Sequence, residues 1–210
     1  MEVAARSVPG SVHPYEDRVL VDEGLGLFAV ADGVTFSSQG SGAVAAELAL
    51  SQLRENFTGD LAAAVGKANQ IVAGRMEEDR TIGQTTLTAV AVKEEVIQAA
   101  NIGDSPAFLV RKRNMQSLAQ VDRNSNGYIT QAIGFPEAAT VHSTRLRLED
   151  GDTVIVASDG VGHVLGPSIV YQLVDKRKVT EVAEAIIDEA RTRVTDYDDD
   201  KSVIVLRFFR

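Results

Sequence analysis

Phe28-Ala29-Val30-Ala31-Asp32-Gly33 is the stretch on which the fold turns: a short apolar run that ends in a carboxylate and a turn dipeptide. The same pattern returns in Val154-Ile155-Val156-Ala157-Ser158-Asp159-Gly160. Two further aspartates stand beside apolar runs, Asp17 in Tyr15-Glu16-Asp17-Arg18 and Asp199 ahead of Ser202-Val203-Ile204-Val205. A carboxylate at a strand end sits at the rim of a buried sheet, held rigidly yet within reach of solvent. Several converging there repel one another unless cations share the space. Hard oxygen ligands of this kind suit magnesium or manganese, and a dinuclear site activates water for attack on phosphorus.

Outward from the first run, Arg18–Asp22 and Leu25–Val30 flank Glu23-Gly24 and predict a hairpin, with Val3–Val8 as an opening strand. The polar, glycine-rich stretch from Thr35 to Gly42 leads into a helix whose apolar residues recur at helical spacing through Leu53. A second helix is expected from Asp60 to Glu78, with Leu61, Val65, Ala68 and Val72 on one face. Strands follow at Thr85–Val92, Val96–Ile102 and Ala107–Arg111, then at Val141–Leu148 and Thr153–Ser158. Helices at Ser168–Asp175 and Val179–Arg193 precede a final strand, Ser202–Phe208. Helices in pairs and strands in meanders predict an α+β protein with helices layered on antiparallel sheets, not alternating βαβ units.

A chain of 210 residues fits one domain with a substantial core, and we expect residues 1–210 to form a single unit. The apolar fraction of 44% and charged fraction of 24% are those of an ordinary globular protein. A net charge of −9 argues against a nucleic-acid partner. The basic clusters Arg111-Lys112-Arg113 and Lys176-Arg177-Lys178 read as a hairpin turn and a connection between helices. With no cysteine there is no disulfide, thiolate metal site or cysteine nucleophile. No basic leader opens the chain and no apolar run approaches the roughly 20 residues needed to span a bilayer. The expectation is a cytoplasmic protein without a membrane partner.

Six motifs, in order, carry a resemblance. They are Glu16-Asp17, Ala31-Asp32-Gly33, Gly83-Gln84-Thr85-Thr86, Asn101-Ile102-Gly103-Asp104-Ser105, Ala157-Ser158-Asp159-Gly160 and Asp199-Asp200-Lys201-Ser202. Each alone is weak, because Asp-Gly is chiefly a turn dipeptide. Together they resemble the metal-dependent protein phosphatases of the protein phosphatase 2C (PPM) type, in the form of a minimal bacterial or archaeal catalytic domain. The resemblance implies a four-layer α-β-β-α sandwich with two Mn2+ or Mg2+ ions at one edge. It implies that Asp32 bridges the ions, that the Gly33 carbonyl binds one, and that Asp159 and Asp199 bind the other. Asp17 would hold waters on the ion shared with Gly33, with Glu16 behind it. Asp32, Asp159 and Asp199 are thus the expected catalytic residues. Residues matching Asp104 and Asp159 bind a third ion in many bacterial members. The implied reaction is hydrolysis of phosphoserine or phosphothreonine by a metal-bridged water. The implied partners are a phosphorylated protein and its cognate Ser/Thr kinase, with the enzyme a monomer.

The chain also departs from this pattern. The family's phosphate-gripping arginine stands four residues before the Glu of Glu-Asp, and here that place is Val12. His13, Arg6 and Arg18 are the nearest substitutes, and an arginine introduced at Val12 is expected to lower the Michaelis constant. Val34 stands where eukaryotic members have a histidine. Asp196, Asp198 and Asp200 read as a solvated acidic run, so that Asp200→Asn is expected to be nearly silent. Thr85 and Thr86 read as strand residues that bond locally, and His163 as a helix-start or surface residue. The competing function is a pseudophosphatase, a phosphoprotein- or partner-binding module, motivated by the missing arginine. A third reading, nucleotide binding through Gly160–Gly166, is weak because its spacing is off by one and no βαβ pattern surrounds it.

Overall fold

The computed structural model describes residues 1–34, 40–135, 139–175, 178–193 and 197–210. Along the chain come β1 (Glu2–Val8), β2 (Arg18–Asp22), β3 (Leu27–Ala31), β4 (Gly33–Val34), α1 (Gly42–Asn56) and α2 (Leu61–Glu78). Next are β5 (Gln84–Thr85), β6 (Leu87–Lys93), β7 (Val96–Ile102), β8 (Ala107–Arg111), β9 (Asn114–Ser117) and β10 (His142–Arg147). The chain closes with β11 (Thr153–Ala157), α3 (Asp159–Gly162), α4 (Pro167–Val174), α5 (Val179–Thr192) and β12 (Lys201–Arg207).

Two five-stranded antiparallel sheets, ordered β1-β12-β11-β8-β9 and β10-β7-β6-β3-β2, face each other. Between them lies one apolar layer that includes Phe28, Val30, Val90, Val154, Val156 and Ile204. The other face of β3 and β6 meets α1 and α2 through Leu27, Ala29, Ala49, Leu53, Val65 and Leu87. The other face of β11 and β12 meets α3, α4 and α5 through Ile155, Val203, Val161, Val170 and Ile186. This is the expected α-β-β-α sandwich. It explains why β3 and β11 are buried at every position and apolar at all but Thr153: each is covered on both sides. Truncating Phe28, fully buried between the sheets, removes volume that neither sheet can readily refill.

The element boundaries follow local chemistry. Asp60 caps α2, its Oδ1 accepting from the Ala63 N–H at 3.0 Å. Residue 26 is left-handed at φ 63°, and a side chain there would meet the Val92 carbonyl at 2.2 Å. The β2–β3 turn therefore extends through Gly26, and β3 starts two residues later than expected. The strand expected over Thr85–Val92 is broken at Thr86 into β5 and β6. Lys112 and Arg113 form the hairpin turn with positive φ, and β9 beyond it was not anticipated. Lys176, Arg177, Asp196 and most of the stretch after Val34 lie outside the described residues. Among the described residues, no helix is long and apolar enough to cross a membrane.

Candidate metal centre and active site

At one edge of the sandwich, β3 and β11 deliver Asp32 and Asp159 to a single cleft of about 580 Å³. Glu16, Gly33, Asp104 and Asp199 line it too, together with His13, Thr86, Arg123, Tyr128 and Tyr197. Of the metal-site residues that the resemblance implies, Asp17 alone is absent from the lining. It lies beneath, 1% exposed, and its charge is felt at Asp32.

The floor of the cleft is fixed by backbone bonds. The Thr86 N–H donates to the Asp32 carbonyl at 2.8 Å. Thr85 Oγ1 donates to that carbonyl at 2.9 Å, and Thr86 Oγ1 accepts from the Asp32 N–H at 3.1 Å. Thr85 lies in a strand, as expected, but Thr86 falls at the break between β5 and β6, and what both hold is Asp32, distant in sequence. Gly33 lies against the start of α1: a side chain there would meet the Gly42 backbone at 2.5 Å and Glu16 Cβ at 2.7 Å. Glu16 Oε1 accepts from the Gly42 N–H at 3.1 Å, joining the Glu16-Asp17 turn to the helix that backs the cleft.

Asp200 corrects the expectation of a solvated acid. It is 1% exposed. Its Oδ1 accepts from the Gly10 N–H at 2.8 Å, and its Oδ2 from Glu16 N–H at 2.7 Å and Asp17 N–H at 3.3 Å. Asp200 thus holds the turn that presents Asp17, whereas its neighbour Asp199 faces the cleft. Asp198 is engaged as well, pairing with Lys201 at 2.5 Å.

Charge accumulates on the floor. Burial pushes the Asp17 carboxyl up to about 7, eased by nearby Ser202 and Ser158 hydroxyls and aggravated by Asp200 and Asp199. Those hydroxyls give no well-formed bond: both Asp17 oxygens are buried without a hydrogen-bond partner among the described residues. Burial also holds Asp32 well above the usual carboxylate range, and the charges of Asp17, Asp159, Asp199 and Asp104 add to it. Burial and Asp159 raise both Asp104 and Asp199, opposed by Arg123 and His13 respectively.

At the rim the chain supplies its own partners for the acids. His13 Nε2 lies 2.7 Å from Asp199 Oδ1. Arg123 reaches Asp104 and Asp159 together, at 2.5 and 2.6 Å. No sequence signal marked Arg123. Of the other substitutes considered for the missing arginine, Arg6 pairs with Glu184 at 2.5 Å. Arg18 lies over the Tyr15 ring, 5.5 Å from its centroid. Neither lines the cleft. Val12 is 42% exposed and lies outside it. His163 is an exposed surface residue, as expected, but it ends α3 and does not start a helix. Gly160 and Gly162 lie in that one helical turn and Gly166 caps α4, after a strand paired antiparallel on both sides, which removes the nucleotide-loop reading.

Among the described residues, no three His, Asp or Glu side chains are gathered tightly enough to hold an ion as they stand. Like charges spread, and Arg123 and His13 draw three carboxylates to the rim. The donor set nevertheless fits hard divalent cations: all oxygen, several carboxylates on rigid backbone, and a buried pair of orphaned oxygens at Asp17 that needs positive charge.

Comparison with known proteins gives a consistent picture. Residues 21–209 match the family model described as Stage II sporulation protein E (SpoIIE). A probable protein phosphatase 2C 71 from Oryza sativa subsp. japonica is 27% identical over 175 residues, covering 79% of this chain and 37% of its own. The serine/threonine protein phosphatase PstP of Mycobacterium tuberculosis is 27% identical over 219 residues, covering 90% of this chain and 42% of its own. The chain therefore spans less than half the length of these curated relatives. A crystal structure of the PstP catalytic domain in complex with two manganese ions superposes with a TM-score of 0.84 at 25% identity, covering 100% of this chain and 98% of that one.

Proposed function

The chain belongs to the SpoIIE and protein phosphatase 2C-type (PPM) family, and from that premise we propose that it is a metal-dependent protein serine/threonine phosphatase. The observation that carries the proposal is the cleft floor, where Asp17 and Asp32 carry more negative charge than the chain itself offsets. Asp32 would bridge two Mn2+ or Mg2+ ions. The Gly33 carbonyl, with Asp17 through water, would complete one site, and Asp159 and Asp199 the other. When bound, the ions supply Lewis acidity, activating water and offsetting charge on the phosphoryl oxygens.

The chain's own residues do the positioning. Thr85 and Thr86 lock the Asp32 backbone, Asp200 locks the Glu16-Asp17 turn, and Glu16 ties that turn to α1. Arg123, and His13 when protonated, bring positive charge to the rim, where a dianionic phosphoryl group would enter. Exposed Tyr128 and Tyr197 flank the entrance and offer apolar faces to the residues around a phosphorylated side chain. The proposal extends to a monomer acting in the cytoplasm on the products of a Ser/Thr kinase, in keeping with the lack of cysteine and the charge of −9.

The test is hydrolysis of p-nitrophenyl phosphate and of a phosphothreonine peptide, with and without Mn2+, metal binding being followed in parallel by calorimetry. Manganese-dependent turnover of both is expected. Bound metal with no turnover of either would sink the enzyme and leave the partner-binding module.

A further inference from the structure

Arg123 sits where two of the cleft's carboxylates would otherwise face each other unshielded. Its Nε and Nη2 donate to Asp104 Oδ2 at 2.9 and 2.5 Å, and Nη2 also donates to Asp159 Oδ2 at 2.6 Å. One guanidinium therefore neutralises both. The arrangement is built, not a chance contact of a long surface side chain. The preceding residue, Asp122, is buried and ties this segment to the turn that carries Asp104. Asp122 Oδ2 accepts from the Gly103 N–H at 2.9 Å, and its own N–H donates to the Gly103 carbonyl at 3.1 Å. Gln131 and His142 hold the other Asp122 oxygen at 2.9 and 2.8 Å. Beyond Arg123 the loop closes on itself, Asn124 Oδ1 accepting from Asn126 N–H at 2.9 Å and Tyr128 N–H at 3.1 Å. Arg123 thus projects from a pinned backbone, and its partner Asp104 is 7% exposed.

Resting on the metal-dependent reading above, we propose that Arg123 is a resident cation that takes the place of a third metal ion between Asp104 and Asp159. A fixed guanidinium is desolvated on folding and cannot be diluted away, so a divalent ion competing for the same oxygens must break three charge-assisted bonds. Asp104 is then a positioning residue for Arg123 and not a metal ligand. The cleft takes two ions, on Asp17, Asp32, Gly33, Asp159 and Asp199.

The experiment counts Mn2+ per chain by calorimetric titration and by elemental analysis after equilibrium dialysis. The proteins are wild type, Arg123→Met, Asp104→Asn and the double variant. The expected counts are two for wild type and two for Asp104→Asn, whose amide oxygen still accepts from Arg123, with affinities within about twofold of each other. Arg123→Met should gain a third, weaker site that the double variant lacks. Three ions in wild type, falling to two in Asp104→Asn, would overturn the proposal while leaving the phosphatase reading intact. A count that stays at two in folded Arg123→Met would overturn it as well. No ion in wild type would instead bring down the metal-dependent reading on which this one stands. If Arg123→Met fails to fold, the pair of wild type and Asp104→Asn decides alone.

Discussion

The floor and the rim of the cleft carry the same residue type and solve its electrostatics in opposite ways. On the floor, Asp17 and Asp32 are held by backbone contacts and pair with no cation among the described residues, so burial and the charges of neighbouring acids raise both. At the rim, Asp104, Asp159 and Asp199 are met by Arg123 and His13. The floor is therefore the part that depends on something from outside the chain, and the rim the part that is already satisfied. Metal should matter most where the chain has left charge without a partner.

The most severe way to break this contrast is Asp32→Asn. It removes the carboxylate expected to serve both ions, and we expect activity to fall by about a thousandfold or more. The metal-free variant should nonetheless melt higher than metal-free wild type, because a repelled charge has gone, and it should lose most of the Mn2+-induced rise in Tm. A metal-induced rise equal to that of wild type would place the ions elsewhere.

The pH dependence of metal-free stability sharpens the same point. The folded-state Asp17 carboxyl is raised from 3.8 to about 7, so between those values the native state holds more protons than the unfolded chain. Stability must then fall as pH rises through that window, by up to about 4 kcal/mol from this one group. Saturating Mn2+ should remove the slope, since ions replace protons on the floor. Urea unfolding at pH 5 and pH 7, with and without Mn2+, measures this directly. A metal-free protein more stable at pH 7 than at pH 5 would contradict the floor as described.

Asp200→Asn is the third step down. One carboxamide oxygen cannot replace two carboxylate oxygens that accept from Gly10, Glu16 and Asp17. We expect a loss of about 1–3 kcal/mol in urea unfolding, with reduced turnover because the Asp17 turn shifts. A silent variant would restore the solvated reading of this acid.

Why the buried role of Asp200 was missed, and the places of Asp32 and Asp159 were not, is a matter of what a linear pattern encodes. Asp32 and Asp159 end strands covered on both faces, and that burial is written as uninterrupted apolar residues. β7 and β8 were legible to the residue for a related reason, since apolar positions there are bounded by clear turns. The run from Asp198 to Asp200 is chemically uniform, and Asp200 is set apart by the amides of Gly10, Glu16 and Asp17, brought across from the other end of the chain. Arg123 was invisible for the same reason: a lone arginine in a polar loop gains its meaning from Asp122 gripping the Gly103-Asp104 turn. α3 escaped because four residues are too few to display a helical period.

The mildest expectation concerns Val12, where the resemblance left a gap. Introducing arginine there was expected to strengthen phosphate binding, and the geometry now argues for very little effect. Val12 is 42% exposed and outside the cleft lining, whereas the adjacent His13 turns inward onto Asp199. The rim also already holds Arg123, a fork of the kind the family places elsewhere. An added guanidinium at position 12 would have to leave solvent, lose side-chain freedom and compete with a cation already in place. We expect the Michaelis constant for p-nitrophenyl phosphate to change by less than about threefold in Val12→Arg, with kcat unaltered. A tenfold fall would mean that the rim was not satisfied, and that Arg123 serves its two carboxylates without serving the phosphate.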